Sequence, residues 1–211
     1  MIPHFEIDVS VDVNFAKVMR PPWDKIHQEN QLIENHEYEL LRGITWEIFE
    51  SDFDTETEAI AYVDSKTKTH QEFEDLADDL PFDDEWGPEL PPFDLGIGGT
   101  VLSLYAFKCF PVTSCRGHPG VRGARYPSIV FFAQPESAPI GAGVAAGTGV
   151  GICNMDGGTI MVYARSILDM RKFATGLQRA YPTALQIYHK LRKKFRSVRR
   201  ILEETEIIDA Q

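Results

Sequence analysis

Residues 126–133, YPSIVFFA, decide the fold. Towards its end the stretch is apolar on both faces, the pattern of a strand covered from two sides and therefore central in its sheet. Just before it, Phe110–Ser114 reads as a buried strand. After it, Gly158–Ala164, GTIMVYA, reads as a third. Gly96–Lys108, GIGGTVLSLYAFK, has the spacing of a short helix, and the Gly/Ala-rich Ser137–Thr148 reads as a short helix or a loop. Ser166 is a good N-cap with Asp169 three places on, close to a capping box, and opens a helix to about Ala180. Pro182 then starts or kinks a second helix. In that helix Leu185, Tyr188, Leu191, Phe195, Val198 and Leu202 recur at spacings of 3, 3, 4, 3 and 4, an apolar stripe fit to pack on a core or on a partner helix. Strands alternating with helices predict an α/β (or α+β) domain, a single mixed sheet with helices packed on it.

The first hundred residues follow another pattern. Phe5, Ile7, Val9, Val11 and Val13 alternate with Glu6, Asp8, Ser10 and Asp12, which predicts a half-buried strand with an acidic outer face. Pro21–Pro22 stops it. Residues 23–42 carry a moderate helical spacing, through Trp23, Ile26 and Leu40–Leu41. Strands are expected at Ile44–Phe49 and Ala59–Val63. Residues 72–94, EFEDLADDLPFDDEWGPELPPFD, hold four prolines and many acids, yet Phe73, Leu76, Leu80, Phe82, Trp86, Leu90 and Phe93 are interspersed. A solvating tail has fewer aromatics. The segment reads as an acidic strap that docks along a basic surface, of this chain's last helix or of a partner. The expected division is an acidic N-terminal arm or α+β region over 1–71, the strap over 72–95 and an α/β core with basic amphipathic helices over 96–211.

With 211 residues, 43% apolar and 25% charged, the chain can bury a sizeable core. No stretch approaches about 18 uncharged apolar residues, so no membrane-spanning helix is expected. The opening MIPHFEIDVSVDVNF does not read as a signal peptide. Three cysteines, Cys109, Cys115 and Cys153, argue against a disulfide framework and for a reducing cytoplasm. The net charge of −11 hides a split. Residues 1–100 hold 25 Asp and Glu against 6 Lys and Arg, or −19, and residues 101–211 hold 7 against 15, or +8. Such asymmetry points to a charged partner or to internal pairing.

The densest polar motif is Thr113-Ser114-Cys115-Arg116-Gly117-His118, where a strand ends. Ligand sites collect at such ends in α/β sheets. Small polar residues, a thiol, a glycine and an imidazole together suit a compact anion or nucleotide site, and a turn around a buried thiol is the plainer alternative. The segment resembles the S-C-x-G-[RH] stretch of small α/β domains, among them the S-adenosylmethionine-dependent methyltransferase family of tRNA wybutosine synthesis and uncharacterised bacterial proteins. Ser114, Cys115 and Gly117 match the motif. His118 stands where the tRNA-modifying relatives carry arginine. The resemblance spans about residues 96–175 and implies a small α/β domain. The family's other elements are not found in this chain, so no methyl transfer carries over.

Cys115 and His118 are candidates for a catalytic pair, since an imidazole or a nearby cation such as Arg116, Arg122 or Arg125 lowers a thiol pKa. Cys109, Cys115, His118 and Cys153 offer four zinc-type donors, but without a CxxC knuckle neither a metal nor a cofactor is expected. The run GAGVAAGTGVG, from Gly141 to Gly151, lacks the setting of a dinucleotide fingerprint and reads as a small-residue segment packed over the sheet. Residues 171–200 hold ten Lys and Arg and no acid, and Lys190, Arg192, Lys193, Lys194, Arg196, Arg199 and Arg200 form the basic surface. It suits phosphates, an acidic protein or plain solvation. The leading expectation is a small adaptor or subunit of a bacterial multiprotein complex that binds a partner protein through its acidic half and last helix, with nucleic acid a further possible partner. The alternative is a nucleotide- or nucleic-acid-acting module or enzyme built on Ser114–His118.

Overall fold

The structure, a computed structural model, describes residues 1–21, 43–80, 93–118 and 126–208, with the backbone alone at 187–189 and 191–208. Among these residues are five strands: β1 (Val11–Asp12), β2 (Phe110–Cys115), β3 (Ser128–Phe132), β4 (Gly151–Asn154) and β5 (Ile160–Tyr163). Five helices pack with them: α1 (Trp46–Lys66), α2 (His70–Asp78), α3 (Gly98–Ala106), α4 (Ala138–Thr148) and α5 (Ile167–Ile208). The strands form one mixed sheet in the order β1-β4-β5-β3-β2, antiparallel except for the β1–β4 pair. The expected α/β class, with a single mixed sheet and helices packed on it, is what the chain adopts.

Alternation sets the buried face. Ile129 and Phe131 of β3 stand opposite Val162 and Ile160 of β5, and all four are buried, while Val130 and Met161 on the other face are half-exposed. Phe110, Ile152, Met170, Phe173 and Leu177 complete this core with Val101, Leu102 and Leu104 of α3. α3 and α4 pack against α5, and α1 packs against α3. Gly176 of α5 brings the helices close, because a Cβ there would lie 2.6 Å from Val144 of α4. A second cluster, Ala59, Ile60, Val63, Phe73, Ala77, Leu80, Leu95 and Ile167, ties α1 and α2 to the start of α5.

Several expectations need correction. The strands expected at Ile44–Phe49 and Ala59–Val63 fall within or against the helix α1. Trp46, Phe49, Phe53, Ile60 and Val63 lie at helical spacing, and the stripe is interrupted only by Glu56, a charged residue on the apolar face. Phe5, Ile7 and Val9 are half-buried and Glu6 and Asp8 exposed, as the alternation predicts, but the Ile7 N–H turns back to the Phe5 carbonyl and only Val11–Asp12 pairs into the sheet. The first part of the strap is the helix α2, with a full capping box between Thr69 and Glu72. β4, which opens on Gly151 behind a glycine-rich helix, was not expected. α5 continues as one helix through the exposed Pro182, so no second helix starts there. The helix expected over 23–42 and the strap residues 81–92, with Phe82, Trp86 and Leu90, lie outside the described residues, as do Arg122 and Arg125.

Candidate functional site

β2 is an edge strand, which suits Pro111, a residue with no N–H to give to a ladder. Beyond a register shift between Pro111 and Thr113, Thr113 pairs with Val130, Ser114 with Ile129 and Cys115 with Ser128. Thr113 is exposed, and Ser114 and Cys115 are half-buried. The strand ends at Cys115, and the chain turns through Gly117 at φ +84°. A Cβ at Gly117 would lie 2.6 Å from the backbone of Tyr126, so the turn requires glycine.

The turn sends Arg116 and His118 to the acidic helix α2. The Arg116 guanidinium is 2% exposed and lies 3.1 Å from Glu74 and 2.6 Å from Asp78. Its backbone N–H donates to Asp94 Oδ2 at 3.0 Å. His118 Nδ1 meets Glu74 Oε2 at 2.8 Å, and its Nε2 lies 3.9 Å from Asp94 Oδ2. The Gly117 N–H donates to Cys115 Sγ at 3.3 Å. Asp94, Cys115 and His118 thus offer a carboxylate oxygen, a sulfur and an imidazole nitrogen within 4.8 Å of one another. Glu74 Oε1 is buried and has no hydrogen-bond partner among the described residues.

Electrostatics separate the chemistries open to this site. Burial pushes the Cys115 thiol up; Asp94 and Glu74 push the same way, against the Gly117 N–H and Arg116. A thiol so placed is little ionised at neutral pH and makes a poor nucleophile. The Arg116 charge, enclosed between two carboxylates, is turned inward. Of the predicted segment, Cys115, Arg116 and His118 converge, and Thr113 and Ser114 stand behind them on the strand. Asp94 and Glu74 were missed. They lie 22 residues before Arg116 and 44 before His118 respectively, and no local spacing links them to the motif.

The other candidates fall elsewhere. Cys109 and Cys115 stand at opposite ends of β2, about 20 Å apart at the rise of a strand, so the four-donor set with Cys153 on β4 does not assemble. The glycine-rich run forms α4, its left-handed C-cap Gly149 (φ +73°), and β4. At the GIGG turn the Glu56 carboxylate accepts the N–H groups of Gly96 and Gly99 at 2.9 and 3.1 Å, filling the N-terminus of α3 with the chain's own anion. An apolar cavity of about 450 Å³ opens on another side, among Ile44, Tyr105, Phe107, Tyr181, Ala184 and Leu185, with Arg20 and Glu136 paired at its rim. Of the basic surface, Lys190 is exposed, and Arg192, Lys193, Lys194, Arg196, Arg199 and Arg200 lie on the backbone of α5. No helix among the described residues is long and apolar enough to cross a membrane. Comparison with protein-family models, curated proteins and solved structures gives no match.

Proposed function

We propose that this protein is a subunit that binds a partner protein, with the distal part of α5 as the principal docking element and the acidic half as a second. The observation that carries this reading is the continuity of α5. Ile167, Met170, Phe173, Ala174 and Leu177 anchor its first turns in the core. The same helix continues to Ile208, about 33 Å beyond Gln186 at 1.5 Å per residue. The stripe from Leu185 to Leu202 lies along this rod, and its first member lines the apolar cavity. Seven basic residues and no acid over 187–200 favour a helical partner that flanks an apolar stripe with carboxylates.

The test is affinity capture from the native host, comparing the intact chain with a Leu191→Asp/Phe195→Asp variant whose circular dichroism matches it. A protein retained by the first and lost by the second supports the reading. Identical capture by both removes it. The second reading, a ligand-binding or enzymatic role at Ser114–His118, is favoured by the convergence of Asp94, Cys115 and His118.

A further inference from the structure

We propose that Asp94, Cys115 and His118 form a binding site for a single divalent transition-metal ion of the zinc class, independent of the docking role of α5. Three ligand types meet there from separated parts of the chain: Asp94 from the turn before α3, Cys115 from the end of β2 and His118 from the turn after it. Thiolate, imidazole and carboxylate together suit zinc and its borderline neighbours. Calcium and magnesium call for oxygen alone, and copper(I) prefers softer sets.

The donor spacing fits. Zinc bonds of about 2.0–2.3 Å in a tetrahedron place ligand atoms about 3.3–3.8 Å apart. The three donors lie within 4.8 Å of one another and need close by only about 1 Å. Three protein ligands leave the fourth tetrahedral position for water or a bound anion, the arrangement of reactive zinc sites.

The surroundings are those of a ligating histidine. A metal-bound imidazole usually gives its other ring nitrogen to a carboxylate, which fixes its tautomer and orientation. Here Glu74 holds Nδ1 and leaves Nε2 facing Asp94. Arg116 in turn holds Glu74 through a contact of 3.1 Å. The Gly117 N–H points at the sulfur, as donors do that stabilise a metal-bound thiolate. Asp94, Glu74 and Asp78 outnumber Arg116, so the cluster carries an excess of negative charge for a cation to meet. A bound dication would reverse the local electrostatics that keep Cys115 protonated.

The experiment uses the full chain and cobalt(II), a spectroscopic stand-in for zinc. One equivalent of cobalt should give the intense visible bands of a tetrahedral ion and a sulfur-to-cobalt charge-transfer band in the near ultraviolet. Added zinc should bleach both. Cys153→Ser should keep the charge-transfer band, and Cys115→Ser should lose it. Asp94→Asn and Glu74→Gln should weaken zinc binding, the latter by about 10–100-fold as expected for loss of an orienting carboxylate. Where a variant misfolds, the intact chain still answers: zinc should protect Cys115, and neither other cysteine, from alkylation mapped by mass spectrometry. A cobalt spectrum without sulfur charge transfer, a band that survives Cys115→Ser, or equal labelling of Cys115 with and without zinc would overturn the site.

Discussion

Gly117 shows how one position constrains its neighbourhood. Its φ of +84° and its contact with the Tyr126 backbone leave no room for a side chain. Gly117→Ala should cost about 1–3 kcal/mol, from a strained backbone and a displaced turn. Urea unfolding should show a lower midpoint with an unchanged slope. Cys109 offers a second test. Burial pushes its thiol up to about 12, so at mildly alkaline pH almost none is thiolate. In native-state alkylation, Cys109 should react last of the three cysteines and catch up only after unfolding. Labelling of Cys109 ahead of Cys153 would contradict its placement. At this scale the sequence was partly legible. A turn at the end of the strand was legible in residues 113–118, because strand ends need small residues and glycine. Asp94 and Glu74 were illegible, because tertiary packing brings them there and both belong to a stretch dense in acids.

Among the elements, α1, α3 and α5 are joined through one buried pair. Glu56 is 2% exposed; its carboxylate bonds Arg171 and caps the first turn of α3. Burial pushes the Glu56 carboxyl up, while Arg171 and the amides at Gly96, Gly98 and Gly99 oppose the shift. Arg171 also stacks on Phe53 at 3.7 Å. Glu56→Gln would leave a buried guanidinium without its counter-charge and should cost about 3–5 kcal/mol. The double variant Glu56→Gln/Arg171→Met should lose less than the sum of the single variants, since it no longer leaves a lone buried charge. Denaturant unfolding of the four proteins checks both statements. This pair also explains the misreading of α1. A glutamate on the apolar stripe breaks the helical period, and the short apolar runs on either side of it look like strands. β3, β5 and α3 were legible because their periods have no such interruption; β2 was legible as a strand, but it is an edge strand with a register shift and an exposed Thr113 rather than the buried strand expected. The unbroken course of α5 through Pro182 was not legible, because the proline rule predicts a break that the packing of Tyr181 and Ala184 against the core outweighs.

At the scale of the whole molecule, the charge split meets itself at the Glu56–Arg171 pair and again at Arg116. The acids Glu74 and Asp78 of α2 lie on Arg116, and Glu74 also on His118, while Phe73 and Leu80 are buried in the second cluster. This part of the acidic strap therefore docks in cis, with its acids on the motif turn and its apolar side chains against α1 and Ile167 at the start of α5. Removing residues 187–211 tests what is left for the distal helix. Among the described side chains of α5, Ala184 and Leu185 are the last that pack on the core or line the cavity. The truncated chain should unfold within about 1 kcal/mol of the intact one, in the range of changes outside a core. It should also lose the partner captured by the full chain. If the basic face instead serves nucleic acid, the intact chain alone should bind a duplex, with affinity falling steeply as salt rises.

β1 holds only two residues, yet they bridge the sequence, for Val11 pairs with Ile152 and the Asn14 N–H reaches Asn154 from 140 residues away. The antiparallel pairs of β2, β3, β5 and β4 close much shorter loops and should form first. On a ribosome adding about 5–20 residues each second, this first strand waits roughly 7–28 s before its partner emerges. Throughout that interval Phe5, Ile7 and Val9 have no sheet to cover them. The alternating acids Glu6, Asp8 and Asp12 keep this stretch charged while it waits. Neutralising them should leave the finished sheet intact but lower the soluble yield of newly made protein, a cost visible only during synthesis.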